Sequence, residues 1–320
     1  YFDDALTEQV IEDLMEVLGC SQTEAYKRLY NTGLTIYSTQ DPKIQAICDE
    51  EVNNPANYPT APKTSFSMTL TVQKADGEFK YYDEQTMLAY YQSSNKDYTI
   101  NFASQEEANA AVEKYKSDIM EKGDTVPENG QTITYTLQPQ AALTVIDPKT
   151  GEVKAMVGGR GEKTANRTLN RATDSVRQPG STFKVLAAFA PALDTKQMTL
   201  ASVEDDAPYT YTNGTPLKNY DNRYRGFTTI REAITYSINV VTVKTLTDIG
   251  IDTGFEYLTD HFGFTTLTDQ DRNEALALGG ITYGVTNLEL TAAYAAIANG
   301  GTYIKPRMYT KIIDHDGNVL

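Results

Sequence analysis

The chain has 320 residues, with 28 basic and 43 acidic side chains, so its formal net charge at pH 7 is −15. A field of this sign excludes nucleic-acid binding that depends mainly on attraction to phosphates. Hydrophobic residues make up 40% and charged residues 22%, which is a globular composition and excludes disorder. The length allows two domains of about 100–200 residues each. No apolar run reaches the roughly 20 residues that a bilayer span needs. The chain begins without a methionine or a signal peptide, which indicates a piece of a longer protein.

Cysteine and histidine are scarce, with two residues of each type. One pair of cysteines, Cys20 and Cys48, excludes a four-cysteine metal finger, and leaves open a disulfide or two buried thiols. Neither His261 nor His315 belongs to a His-Glu-x-x-His motif, so a histidine metal site or a Ser-His pair has little support. If a serine nucleophile operates here, we expect its base to be a residue other than histidine.

The first fifty residues are predicted to be mostly helical. Apolar residues recur at helical spacing through 4–18, and Gly19 is typical of a helix end. A Ser-x-x-Glu pattern predicts a capping box for a second helix over 21–30. Residues 34–39 alternate like a strand, and the Asp-Pro pair that follows is typical of the start of a short helix.

The next part of the chain has a different composition. Residues 53–62 carry three prolines and three asparagines, which is typical of a linker. Beyond it the sequence is polar and rich in tyrosine, with predicted strands over 66–72 and 131–137. A second Ser-x-x-Glu pattern, 104–107, predicts a helix between these strands. Because strands and a helix are predicted together, we interpret 53–138 as a small α+β accessory or linker domain. It contains no catalytic constellation.

From residue 139 onwards, apolar helices alternate with glycine-rich loops. Two strands are predicted, over 141–146 and 153–157, with a turn at 147–151 between them. This turn contains the tripeptide Lys149-Thr-Gly151, which also occurs in a catalytic signature. We interpret it as part of the turn only, because it precedes the candidate nucleophile Ser181 in the chain.

The strongest candidate for chemistry is Arg177-Gln-Pro-Gly-Ser181-Thr-Phe-Lys184, which an apolar run follows. The pattern predicts a buried helix from about Ser181, so Ser181 and Lys184 would share one helix face. Free N–H groups and the dipole at the helix start would stabilise an oxyanion there. A buried lysine tends to lose its proton, which is what a general base for serine requires. Ser-x-x-Lys alone is weak, since chance gives roughly 0.7 matches here. A second match, Ser93 to Lys96, is interpreted as a solvated loop.

A second element, Ser237-Ile-Asn239, lies between an amphipathic segment and the apolar run 240–246. From a turn between helices, the hydroxyl could relay a proton and the amide could bind a substrate carbonyl. On its own the pattern is also that of an ordinary helix cap, so it gains meaning only as a partner of Ser181.

Ser-x-x-Lys followed by Ser-x-Asn belongs to a known catalytic signature. With these motifs the chain resembles the transpeptidase part of a class A (bifunctional) penicillin-binding protein. Further segments match the family in the family's order: 33–42, 147–159, 170–172, 177–181, 277–280 and 284–301.

The resemblance implies an α/β (α+β) transpeptidase fold of the penicillin-binding-protein and serine β-lactamase type. It implies that Ser181 is the acylated nucleophile, that Lys184 is its base, that Ser237 passes a proton to the leaving group and that Asn239 holds the substrate amide. The implied substrates are peptidoglycan stem peptides ending in D-Ala-D-Ala, which β-lactams would mimic. No metal, organic cofactor or nucleic acid is implied.

The resemblance also implies a three-part division. Residues 1–52 would be the junction after an absent glycosyltransferase domain, 53–138 the accessory or linker domain and 139–320 the transpeptidase domain. The family's third motif, Lys-Thr/Ser-Gly, does not occur after Asn239. We therefore expect a C-terminally incomplete, poorly active domain. Its site would lie on the extracytoplasmic face of a bacterial membrane or in the cell wall, with membrane attachment only through an absent N-terminal anchor.

Two other functions share the same nucleophile. A serine β-lactamase of class A would also carry a Glu-x-x-x-Asn element, which is missing between Asn239 and Leu320. A β-lactam sensor or binding module would become acylated without turning over. The sequence thus predicts a D,D-transpeptidase, with these two as alternatives.

Overall fold

The computed structural model describes residues 1–58, 60–163, 165–195 and 198–320, so Pro59 of the predicted linker lies outside the described residues. The chain divides into two compact units. The first unit comprises Tyr1–Cys48, Ala142–Gly158 and Ala165–Leu320, and the second comprises Asp49–Ala141 and Gly159–Thr164. The three-part division inferred from the sequence stays a prediction.

Helices and strands are interspersed along the chain. The α-helices are α1 (Phe2–Leu18), α2 (Gln22–Asn31), α3 (Pro42–Asn53), α4 (Glu84–Gln92), α5 (Gln105–Ile119), α6 (Ala190–Thr195), α7 (Ile230–Thr235), α8 (Asn239–Ile249), α9 (Ile251–Glu256) and α10 (Asn287–Ala298). The strands are β1 (Thr35–Ser38), β2 (Lys63–Gln73), β3 (Phe79–Asp83), β4 (Gln131–Gln138), β5 (Leu143–Ile146), β6 (Val153–Val157), β7 (Val203–Asp206), β8 (Tyr209–Thr210), β9 (Pro216–Leu217), β10 (Gly226–Thr229) and β11 (Tyr309–Ile313). Short 3₁₀ segments cover Pro55–Asn57, Gly180–Thr182, Asp269–Asp271 and Glu274–Leu278, and π segments cover Val185–Phe189 and Tyr257–His261.

Helices α1 and α2 confirm the two N-terminal helix predictions. Gly19 closes α1 in the left-handed conformation, with φ of 60°. The hydroxyl of Ser21 accepts the Glu24 N–H at 3.3 Å and so caps α2. The predicted capping box is only half formed, because the Glu24 carboxylate pairs with Arg28 one turn later, at 3.2 Å.

The first unit is built on a helical core and short antiparallel strand pairs. Strand β5 pairs with β6, β1 with β11, β7 with β10 and β8 with β9. Along α8, Val240, Val243 and Leu246 are fully buried at helical spacing and pack against the helical segment that follows residue 180. Phe183 and Leu186 of that segment are equally buried. Burying each such side chain contributes about 1.5–3 kcal/mol, so this packing determines where both helices lie.

The second unit has the arrangement of an α+β domain. Strand β2 lies between β3 and β4 in an antiparallel sheet, and both α4 and α5 pack against β2. The predicted strands 66–72 and 131–137 are confirmed as β2 and β4. The sequence analysis missed β3 and α4, because their tyrosines interrupt both the strand and the helix periodicity. A local signal existed: Asp83 and Thr86 form a capping box at the start of α4.

Three further properties concern the described residues as a group. None of their helices is long and apolar enough to cross a membrane. No cluster of three or more His, Cys, Asp or Glu side chains is placed to hold a metal ion among them. Cys20 and Cys48 are not joined to each other, and the Cys20 thiol lies 3.6 Å from the Leu14 carbonyl oxygen.

Candidate active site

Ser181 lies in a 3₁₀ turn at the start of a helical segment. Gly180 before it has a φ of 55°, in the left-handed region that glycine adopts at little cost. The predicted helix is confirmed in position, but its type differs. After the 3₁₀ turn, Phe183 and Lys184 are α-helical, the segment then widens to a π-helix over Val185–Phe189, and α-helix resumes at Ala190. Pro191 has no N–H to continue the regular ladder, which is a physical reason for the wider turn.

A loop distant in sequence holds the strand-like residues before Ser181. Arg177 and Val285 exchange two backbone hydrogen bonds, at 3.0 and 2.9 Å. The side-chain amide of Gln178 bonds both backbone polar groups of Ile281: it donates to the carbonyl and accepts the N–H at 2.9 Å. The nucleophile turn is therefore anchored from both backbone and side chain.

Two glycines of this loop approach the turn too closely for any side chain. A Cβ on Gly279 would lie 2.4 Å from the Gly180 carbonyl oxygen, and one on Gly284 would lie 2.4 Å from the Arg177 carbonyl carbon. Both glycines also have positive φ, of 71° and 99°. From the sequence, the segments 277–280 and 284–301 were recognised only as matches to the family, with no role for their glycines. The structure gives their glycines a role: they let the loop close over the Ser181 turn.

Lys184 is the buried cation of the site, with 3% of its surface exposed. Its Nζ donates to the Ser237 carbonyl at 2.6 Å, to Ser237 Oγ at 2.8 Å and to Asn239 Oδ1 at 2.6 Å. These three bonds use all three donors of the ammonium group. No carboxylate among the described residues pairs with it. Burial consequently lowers the pKa of Lys184 to about 8, because a charged group loses its hydration there.

Ser237 lies in the turn between α7 and α8, as predicted. Its φ of 52° is unusual for a residue with a side chain and marks local strain. The turn is closed on either side, since Ser237 donates to the Ile234 carbonyl at 3.3 Å and Ile238 donates to the Ala233 carbonyl at 2.9 Å. In this conformation both the carbonyl and the hydroxyl of Ser237 face Lys184.

Asn239 is the first residue of α8, and its side chain connects two parts of the site. Its Oδ1 accepts from Lys184, and its Nδ2 donates to the Lys218 carbonyl at 2.8 Å. The resemblance assigned Asn239 to a substrate amide. The structure shows that one Nδ2 proton and one oxygen lone pair remain for such a contact, since the other two are used within the protein.

The sequence analysis missed a buried polar pair below Asn239. Asn219 accepts the Val240 N–H at 3.2 Å and donates to Asp206 Oδ1 at 2.7 Å. Both are buried, Asn219 with 4% and Asp206 with 0% exposure. This pair ties the segment at 218 to the first turn of α8. No local sequence signal separates Asn219 from the many exposed asparagines of the chain.

The four predicted site residues are thus only partly brought together. Lys184, Ser237 and Asn239 form one hydrogen-bonded group, although 53 residues separate Lys184 from Ser237. The exposed hydroxyl of Ser181 makes no hydrogen bond with any residue that the structure describes, and it lies three residues before Lys184 on the same helical segment.

The two other motif matches, Ser93 to Lys96 and Lys149-Thr-Gly151, share no hydrogen bond with Lys184, Ser237 or Asn239 in the part of the chain that the structure describes. Ser93 is exposed at the end of α4 and donates to the Tyr90 carbonyl at 2.6 Å. The predicted turn at 147–151 is confirmed, because the Gly151 N–H donates to the Asp147 carbonyl at 2.9 Å.

Sequence comparison relates the chain to known proteins. A family described as "Penicillin binding protein transpeptidase domain" matches residues 141–319, more than half of the chain. Penicillin-binding protein 1F of Bacillus subtilis is 35% identical over 78% of this chain and 32% of its own length. Penicillin-binding protein 1A of Clostridium botulinum is 32% identical over 95% of this chain and 37% of its own length. The chain therefore spans about a third of these relatives.

Comparison with solved structures supports the fold. The PonA1 protein of Mycobacterium tuberculosis, solved in complex with penicillin V, superposes with a TM-score of 0.61 at 17% identity, over 99% of this chain and 64% of that one. Penicillin-binding protein 1A of Haemophilus influenzae gives a TM-score of 0.60 at 24% identity, over 99% of this chain and 49% of that one. The predicted α/β (α+β) transpeptidase fold is confirmed.

Proposed function

Because this chain belongs to the penicillin-binding protein transpeptidase family, we propose that it forms the acylation site of a D,D-transpeptidase that cross-links peptidoglycan stem peptides. The substrates are peptides ending in D-Ala-D-Ala, and β-lactams acylate the same serine. The site acts on the extracytoplasmic face of a bacterial membrane or in the cell wall. The observation that supports this most is the buried Lys184, held against Ser237 and Asn239 one helical turn from Ser181.

The first chemical step is acylation of Ser181. The neutral amine of Lys184 takes the hydroxyl proton while Oγ bonds to the carbonyl carbon of the penultimate D-Ala. With a pKa of about 8, about a tenth of the Lys184 side chains are neutral at pH 7. An ordinary lysine, with a pKa of 10.5, would be neutral in only about 0.03% of molecules. Burial therefore allows Lys184 to act as the base, the role that histidine takes in a Ser-His pair.

The second step is departure of the terminal D-Ala. As the amide C–N bond breaks, the leaving nitrogen needs a proton. The Ser237 hydroxyl donates it and is reprotonated by the Lys184 ammonium, 2.8 Å away. The acyl group then passes to an amine of a second stem peptide as its bond to Ser181 Oγ breaks. Lys184 again accepts the proton that the amine releases and returns it to Ser181 Oγ, which regenerates the free hydroxyl. Asn239 holds the substrate amide with its remaining Nδ2 proton.

The nucleophile is tested by β-lactam labelling of the protein that carries this chain. Peptide mass mapping should locate one adduct, on the peptide that contains Ser181, and Ser181→Ala should abolish it. Ser93→Ala is the matched control and should label normally. An adduct on Ser93, or one that persists in a folded Ser181→Ala variant, would refute the assignment.

Turnover separates the proposed activity from the two alternatives. A transpeptidase releases D-Ala from a D-Ala-D-Ala peptide and keeps its β-lactam adduct for a long time. A sensor would label stoichiometrically and release no D-Ala, and a β-lactamase would hydrolyse the adduct rapidly. Either of these results would replace the proposed function.

A further inference from the structure

The second compact unit contains a cavity of about 330 Å³ that no step of the proposed reaction uses. It lies between the end of α4, the loop 93–98 and α5. Half-buried aromatic rings and exposed polar side chains line it: Tyr91, Tyr98, Phe102, Ser94, Asn95 and Lys114. The volume is at the lower end of the range for small-molecule sites. This loop contains the second Ser-x-x-Lys match, Ser93 to Lys96.

The rings form a wall that the core of the unit supports. The Tyr91 and Tyr98 centroids are 4.7 Å apart with a 39° tilt, and Phe102 stacks on the buried Phe66 at 6.1 Å. Tyr91 also packs on the buried Tyr115 at 6.1 Å. Among the ring pairs of the described residues Tyr98 stacks with Tyr91 alone, and Tyr98 and Phe102 both pack against the apolar core of the unit. Both also line the cavity, so part of their ring surface faces a ligand there.

The charges around the cavity cancel. Lys114 pairs with Asp118 at 2.6 Å, and the same carboxylate accepts the Tyr91 hydroxyl at 2.8 Å. A ligand entering the cavity thus meets no uncompensated charge, which favours a neutral molecule over an anion or a cation. The side-chain amide of Asn95 has an unused donor, because only its Oδ1 is occupied, by the Asp97 N–H at 3.1 Å.

We propose that this cavity binds one pyranose ring of a neutral glycan. A pyranose has an apolar C–H face, which packs on an aromatic ring, and hydroxyl groups at its edge, which need hydrogen bonds. Tyr98 and Phe102 offer the ring surface, and Ser94 and Asn95 offer the polar partners. The choice of N-acetylated amino sugars as the glycan rests on the proposed function, because such sugars carry the stem peptides. The Ser94 hydroxyl donates to the Tyr91 carbonyl at 3.1 Å and keeps its oxygen free to accept. An apolar peptide fits less well, since it would cover this oxygen and the unused Asn95 donor without a hydrogen bond.

The test uses saturation-transfer NMR on the full chain carrying Ser181→Ala, with β-1,4-linked N-acetylglucosamine tetramer as the probe. We expect saturation of the sugar ring protons and a dissociation constant in the millimolar range or below. Tyr98→Leu removes the ring face but keeps apolar volume, and should weaken binding about tenfold. Tyr81→Leu is the matched control, because Tyr81 is 75% exposed on β3 and does not line the cavity. Circular dichroism checks the fold of each variant.

Asn95→Ala keeps the aromatic wall intact and should weaken binding severalfold, so the proposal stays testable if Tyr98→Leu unfolds. The proposal would be overturned if the tetramer did not bind at about ten times the expected millimolar dissociation constant. Equal binding by both variants and the control would also overturn it. Preference for an apolar tetrapeptide over the tetramer would also overturn it. The readout does not depend on acylation, so a failure of Ser181 labelling leaves it unaffected. Binding of maltotetraose as tight as that of the tetramer would retain the pyranose site and remove the link to amino sugars.

Discussion

Replacing Asn239 by aspartate tests directly whether the ionisation of Lys184 controls acylation. The substitution keeps the shape of the side chain and places a carboxylate where the amide oxygen now lies, 2.6 Å from Nζ. An opposite charge at this distance favours the ammonium form and raises the lysine pKa by about 1–3 units. The pKa would therefore move from about 8 back towards its ordinary value of 10.5.

The size of the effect on the rate follows from the neutral fraction of Lys184. Below its pKa that fraction falls about tenfold for each unit by which the pKa rises. At pH 7, Asn239→Asp should acylate about 10–1,000 times more slowly than the native protein, and it should recover above pH 10. The native rate should rise about tenfold from pH 6 to pH 7 and level off above pH 8.

The measurement is the second-order rate constant for acylation by a fluorescent penicillin between pH 6 and pH 10.5. Asn213→Asp is the matched control, because Asn213 lies on an exposed turn where its side chain caps the Thr215 N–H at 2.9 Å. A rate profile for Asn239→Asp that keeps the native midpoint, including a loss of equal size at every pH, would refute the control of acylation by the ionisation of Lys184.

Three further substitutions probe the base, the nucleophile turn and the buried polar pair. Lys184→Arg keeps the charge but not the ability to lose a proton, so acylation should fall by about 100–10,000-fold with unchanged circular dichroism, and near-normal acylation would contradict the proposal. Gly279→Ala places a Cβ 2.4 Å from the Gly180 carbonyl oxygen and adds left-handed strain of about 1–2 kcal/mol, so both Tm and acylation should fall; a native rate would contradict this. Asp206→Ala removes one of the two acceptors of Asn219 Nδ2 and the acceptor of the Arg225 N–H, so it should lower the free energy of unfolding in urea by about 1–3 kcal/mol; an unchanged value would contradict this.

Much of the candidate site could be predicted because it depends on residues close together in the chain. Ser181 and Lys184 lie three residues apart, so any helical turn brings them to one face. The caps of α2 and α5 and the turn at 147–151 are equally local. Strand β3 and helix α4 were not predicted, and the reason is local too: their tyrosines interrupt both the strand and the helix periodicity.

The chemistry of Lys184 depends on tertiary structure. Its low pKa comes from burial, and the burial comes from α8 packing against the helical segment after Ser181. The same packing places Ser237, which is 53 residues away along the chain, within 2.8 Å of Nζ. A spacing pattern contains no information on how far a side chain is removed from water, so the sequence named the lysine without determining its charge.

The catalytic motifs could be found in the sequence, whereas the glycines that support them could not be explained without the tertiary structure. The paired motifs in the sequence drew attention to Ser181, Lys184, Ser237 and Asn239, and the family resemblance that these motifs carry implied the fold class. Only the tertiary structure showed that Gly279 must lack a side chain because Gly180 lies against it, 99 residues earlier in the chain. Close approach between distant segments depends on how whole helices and loops pack, and that packing is a property of the complete fold rather than of any short stretch of residues.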